Sequence, residues 1–168
     1  MAGILPVAIK NNKVYFLFGR ESMDTKYKDS GKWSDFGGTM EKGETLEDTA
    51  IREGYEETSD ILGSLENIKH LVENKTIQKI TNGTYTTFVV VIDYEKKLTP
   101  RFKRNYDKTK KNNPELITEH NGLYEKDRIK WIEVDNLFKY KKKFRPWYVS
   151  IVNKVITYGN SLKTNEKE

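Results

Sequence analysis

Three glutamates carry the first chemical signal in this chain. Glu53, Glu56 and Glu57 stand at i, i+3 and i+4, so on a helix they project one turn apart from one face. Carboxylates that close repel one another and resist full ionisation unless a cation sits among them. Hard oxygen donors of this kind suit magnesium or manganese. A glutamate-rich helix is also a common solvated face, so the surroundings of the cluster decide its meaning. Upstream, Thr45 and Asp48 fit a reciprocal helix cap, and Gly43 marks the turn before it. These signals predict a helix over 45–58. The Gly37-Gly38 pair ahead of it would let backbone come close to a metal or a phosphate.

Gly38, Glu44, Arg52, Glu53, Glu56 and Glu57 follow the spacing G-x5-E-x7-R-E-x-x-E-E. That pattern resembles the Nudix box of the Nudix hydrolases. The resemblance implies an α/β/α sandwich with a mixed sheet, a Mg2+ (or Mn2+) cofactor and cleavage of a phosphoanhydride. It assigns Glu53, Glu56 and Glu57 to the metal, with a backbone carbonyl of Gly38 or Gly37 joining them. Glu56 or Glu57 would also orient the attacking water. Arg52 would hold glutamates by a paired N–H fork, with Glu44 as its partner. Arg20, at the end of a predicted strand, is the family-like candidate for substrate, with a surface ion pair as the simpler reading.

Three positions depart from the family pattern: Gly54 replaces a bulky apolar residue, Ser59 a glycine and Asp60 an apolar residue. Gly54 costs a helix about 1 kcal/mol against alanine and leaves it one side chain short against a sheet. Ser59 takes a left-handed backbone less cheaply than glycine, so a different helix end is expected. Further on, Glu125 lies four residues before Ile129 and six before Trp131. This resembles the mRNA-decapping Nudix enzymes, in which such a glutamate sits in a loop over the metals. Glu125 is therefore the expected general base or extra ligand, with Glu119 second.

At 168 residues the chain is one ordinary domain, expected as a Nudix domain over 1–160 followed by a polar, frayed tail at 161–168. With no cysteine, disulfides, thiolate metal sites and cysteine nucleophiles are excluded. A cytoplasmic setting is expected. The apolar N-terminus is short and reads as a strand and not a signal peptide, and no membrane partner is expected because no stretch approaches a span. The net charge of +5 favours polyanionic partners.

Strands are expected at 3–10 and 13–20 around an Asn11-Asn12 turn, with Pro6 marking the first as an edge or bulged strand. A loop follows at 22–31, then a short strand into the glycine pair. A second helix is expected at 60–74, with His70 solvent-facing. A hairpin spans 76–81 and 84–94 around Asn82-Gly83, where a type I′ turn is expected. The run Phe88–Ile92 reads as a central strand buried on both faces. Residues 128–134 alternate as a strand, and an apolar-faced helix begins at Pro146.

Two basic runs complete the pattern. In 95–115, Lys103, Arg104 and six other cations surround Phe102 and Tyr106, a composition that can hold a phosphate backbone and stack on bases. A solvated short helix is the plainer reading. The second run holds Lys139, Lys141, Lys142, Lys143 and Arg145. The partner is then a nucleotide or polyphosphate substrate, with capped RNA the first candidate and dinucleoside or diphosphoinositol polyphosphates next. A catalytically weak nucleotide- or RNA-binding module is the alternative of another class.

Overall fold

The computed structural model describes residues 1–25, 27–118 and 122–166. Among them, seven strands form one mixed sheet. β1 (Ala2–Lys10) and β2 (Lys13–Glu21) form an antiparallel hairpin. Its turn residues Asn11 and Asn12 both take positive φ, 53° and 61°, as a type I′ turn requires. β3 (Trp33–Ser34) pairs with β2, and β4 (Phe36–Gly38) pairs with β1. β5 (Thr76–Asn82) and β6 (Tyr85–Val91) form the second hairpin, and β6 runs parallel to β1. β7 (Lys126–Glu133) closes the far side of β2.

Both faces of the sheet are covered, and alternation along the strands sorts side chains between them. Ala2, Ile4, Leu17, Phe88, Val90 and Ile129 pack under α1 (Leu46–Thr58), α2 (Leu65–Asn74) and α3 (Leu98–Asn112). Leu5, Val7, Phe16, Phe18, Val89 and Ile132 pack on the other side. There Ile151, Val152 and Val155 of the last helix complete the core. Between these, α4 (Glu115–Thr118) and α5 (Leu137–Tyr140) are single turns, and the last helix, α6, is Val149–Glu166. The expected α/β/α sandwich is what the chain forms. No described helix is long and apolar enough to cross a membrane.

Several local expectations change. Pro6 is not on an edge strand: β1 is central, with β6 on one side and β4 and β2 on the other. The ring sits where β1 leaves β4, after Ile4, and before it joins β2, at Val7. A missing N–H is harmless at that fork. The strand into the glycine pair divides in two at the buried Asp35, whose carboxylate accepts from Tyr85 and Thr87 at 2.6 and 2.8 Å. The second hairpin turns on Gly83-Thr84 with only Gly83 at positive φ, not on a type I′ Asn-Gly. Residues 60–63 form a turn, because Asp60 and Gly63 take positive φ and Ser64 caps α2. Residues 160–166 continue α6, and Lys163 pairs with Asp135.

α3 overturns the stacking role of its aromatics. Phe102 and Tyr106 are buried against β7 and the loop after β2, while the basic residues of the helix face solvent. Gly54 also behaves differently from expectation. A Cβ there would lie 2.8 Å from Ile4 Cδ1, so the glycine marks a close approach of α1 to β1 that Ile4 fills. Ser59 takes the left-handed end that glycine would, at φ 50°, so α1 ends in the ordinary way with a strained residue.

Candidate active site

α1 starts at its predicted cap: Thr45 Oγ1 accepts from Asp48 N, and Asp48 Oδ2 accepts from Thr45 N, at 3.1 and 2.9 Å. Its inner face carries Ala50, Gly54, Thr58 and, less expectedly, Glu57. The three glutamates therefore do not share one environment. Glu57 is 2% exposed, while Glu53 and Glu56 are only partly covered.

Arg52 organises the outer pair. Its Nε and Nη2 donate to the two oxygens of Glu44 at 2.6 and 3.0 Å. Its Nη1 reaches Glu53 at 2.9 Å and Glu56 at 3.4 Å, and Nη2 also donates to the Thr39 carbonyl. This guanidinium holds the Glu44 carboxyl down to about 2. The inner glutamate has a different cation. Glu57 Oε2 accepts from Gly37 N at 2.8 Å and lies 3.8 Å from Lys126 Nζ. Lys126 is completely buried and also bonds Glu21 and Ser34.

The glycine turn and the loop before β7 close on these carboxylates. A Cβ at Gly38 would lie 2.5 Å from Glu53 Oε1, and one at Gly122 would lie 2.8 Å from Glu56 Oε2. Glu125 follows that loop, with its carbonyl accepting from Ser22 N. Glu57, Glu125, Gly37 and Gly38 line one cleft of about 370 Å³, together with Glu21, Tyr27, Lys28, Asp29 and Arg145. On the other side of the glutamates, a wider groove of about 770 Å³ between α1 and α2 is lined by Arg52 and Glu56.

The electrostatics are those of an anionic site in want of a cation. Burial raises the Glu53 carboxyl, and Glu125 and Glu44 add to it against Arg52. Burial and Glu53 raise Glu56. Burial drives Glu57 well above the usual range, with Lys126 opposing and Glu21 and Glu125 adding to it. Burial alone would lower the Lys126 ammonium, but Glu57 and Glu21 carry it up. Among the described residues, no three acidic or histidine side chains converge on a single point; Arg52 bridges Glu44, Glu53 and Glu56, and Lys126 lies beside Glu57. The donor chemistry fits a hard divalent cation: crowded carboxylates, and a backbone cradle at Gly38 that any Cβ would fill.

Other expected site residues lie elsewhere. Arg20 is spent on the buried Asp127, with bonds of 2.7 and 3.0 Å, and is not part of the cleft lining. Lys103 pairs with Asp107 on α3, and Arg104 is exposed there. Glu119 lies outside the described residues. His70 is exposed on α2. The reading from sequence missed Lys126 and Glu21, and took Arg145 only as part of a basic run. The one available hint was that Lys126 directly follows Glu125.

A box-bearing helix laid on an α/β/α sandwich beside a glycine turn is the arrangement of the NUDIX domain. The NUDIX domain model matches residues 2–154, and the chain belongs to that family. Over 68 residues it is 47% identical to the uncharacterized protein L534 of Acanthamoeba polyphaga mimivirus. That match covers 40% of this chain and 22% of the viral protein. The fold is similar to the Nudix hydrolase RenU from M. smegmatis, with a TM-score of 0.57 at 14% identity over 96% of this chain and 86% of that one. A NUDIX hydrolase from Alicyclobacillus acidocaldarius gives 0.52 at 12% identity, over 93% and 90%.

Proposed function

We propose that the chain uses magnesium or manganese to hydrolyse a phosphoanhydride in a nucleoside diphosphate-linked substrate. One observation carries this reading. Glu53, Glu56 and Glu57 of α1 and Glu125, just before β7, are close enough for Glu125 to raise the other three, and Glu57 and Glu125 line a cleft beside the glycine turn. Glu53, Glu56, Glu57 and the Gly38 carbonyl would hold the ion. When bound, it supplies charge neutralisation at the phosphate oxygens and a more acidic water. Glu125, entering from the start of β7, takes the proton of the attacking water as general base, and Glu56 or Glu57 orients that water. Arg52, tied to Glu44, keeps Glu53 and Glu56 in register. Lys126 does the same for Glu57. The P–O–P bridge opens and one water is consumed, leaving a phosphate on each product.

The basic runs favour a long polyanion, and capped RNA, cut between phosphates to release a capped nucleoside diphosphate, is the first candidate. The burial of Phe102 and Tyr106 removes base stacking from α3 and favours the second, dinucleoside or diphosphoinositol polyphosphates. A cytoplasmic setting suits either. The test is a substrate panel with product identification, run with and without divalent metal on the wild type and on Glu56→Gln. Metal-dependent cleavage at a phosphoanhydride, lost in the variant with the fold retained, is the expected result. Equal turnover in the variant would sink the catalytic assignment.

A further inference from the structure

We propose that Arg145 binds a phosphate of the substrate in the cleft and so sets which anhydride bond lies over the carboxylates. This rests on the cleft being the hydrolytic site. A polyphosphate entering it meets Glu21, Asp29, Glu57 and Glu125, against Lys28 and Arg145 as the basic residues of the described lining. An ion held by α1 relieves its glutamates, and a second phosphate still needs a cation of its own.

Arg145 is built for that task. Its backbone N–H donates to the Trp33 carbonyl at 2.9 Å, and Pro146 fixes the chain directly after it. Its Nε donates to Asp29 Oδ2 at 3.0 Å and its Nη1 to Glu21 Oε1 at 3.2 Å. The Trp147 ring backs the guanidinium, 5.0 Å from its centroid. No described residue accepts a bond from Nη2. The fork is thus held in one orientation with an edge left for an anion, where a planar pair of donors suits phosphate oxygens. Arg20 differs: Asp127 occupies its Nε and Nη2. Glu21 joins the two halves of the cleft, since it binds Arg145 on one side and, on the other, the Lys126 that holds Glu57.

Two measurements test this. Binding of ADP is read in EDTA, where no turnover occurs, and KM and kcat are read with metal on the best substrate of the panel. Arg145→Lys keeps the charge and loses the fork; it should weaken ADP and raise KM by roughly 10- to 100-fold, with a much smaller change in kcat. Lys13→Ala, at the exposed end of the β1–β2 hairpin, should change neither. In the wild type, ADP should slow modification of Arg145 by an arginine-selective dicarbonyl without protecting the exposed Arg104, as read by mass spectrometry. This arm needs no variant to fold. ADP affinity and KM within about twofold of wild type in Arg145→Lys, or no protection of Arg145, would overturn the assignment. If Glu56→Gln turns over normally while Arg145→Lys still loses ADP, the hydrolytic reading fails and the phosphate site stands. If Glu56→Gln is dead and Arg145→Lys is unchanged, the phosphate site alone fails.

Discussion

Helices α1 and α3 lie on the same face of the sheet and are both densely charged, yet they treat charge in opposite ways. α3 turns only Leu98, Phe102 and Tyr106 inward. Its ions pair locally, Lys103 with Asp107 and Lys110 with Asp24. Lys103 holds the Asp107 carboxyl below its usual range, and for Asp24 the bonds from Lys110 and Tyr106 outweigh the opposing effect of burial. α1 instead turns Glu57 into the core and crowds Glu53 and Glu56 beside it, and all three carboxyls rise. Charge that a fold relieves is surface. Charge that it collects and relieves only in part marks a candidate site.

The largest expected effect separates the helices by activity. Glu56→Gln should lower kcat by roughly 10²- to 10⁴-fold, whereas Lys103→Ala/Arg104→Ala should leave hydrolysis of a small substrate intact. A comparable loss in the α3 variant would erase the contrast. Next is the buried cation. Lys126→Met strands Glu57 and Glu21 in the interior and should cost about 3–5 kcal/mol in urea unfolding. Lys110→Ala on α3 should cost no more than about 1 kcal/mol. If the two cost the same, Lys126 is not what compensates Glu57.

Asp35 asks whether burial alone produces the same penalty away from α1. Burial, against its bonds from Tyr85 and Thr87, pushes this carboxyl from 3.8 to about 6. The folded protein then keeps a proton that the unfolded chain releases, so the contribution of Asp35 to stability is fully present below pH 4 and is lost as pH rises through 6. The loss is at most about 3 kcal/mol. Asp35→Asn should flatten that part of the pH–stability curve, and an unchanged slope would place the titration elsewhere. Ser59→Gly should raise stability by about 1 kcal/mol by removing the left-handed serine that ends α1; no gain in thermal unfolding would mean that the turn is unstrained. The smallest effect is on α3 itself. Lys103→Ala/Arg104→Ala should flatten the dependence of log K on log salt for RNA by about 1 to 1.5, and an unchanged slope would return both residues to plain solvated surface.

The chemistry of the box was legible because its residues are close in sequence. Spacing places Arg52, Glu53, Glu56 and Glu57 on one helix and Thr45 at its cap, and the resemblance to the Nudix box supplied the Arg52–Glu44 pair. The sheet was legible where alternation is local, as in the β1–β2 hairpin. What sequence could not show depends on contacts far apart in the chain. Lys126 meets Glu21 and Glu57 only after β7 pairs with β2. Arg145 reaches Asp29 only after residue 144 bridges to Trp33. Pro6 was misplaced because a fork in the sheet, unlike an edge, has no local signature. Phe102 and Tyr106 looked like stacking residues because their neighbours are basic; which face a helix buries was decided by β7.

The contact between Gly54 and Ile4 has a consequence for how this site can change over time. The distance from the carboxylates to the sheet is set by the volume shared between one position on α1 and one on β1. A larger residue at 54 lifts the whole row of glutamates unless position 4 shrinks to match. Gly54→Val should therefore impair the site, Ile4→Ala should leave a hole, and the pair together should recover much of what each loses. The two positions are free to exchange volume across generations, but neither can drift alone.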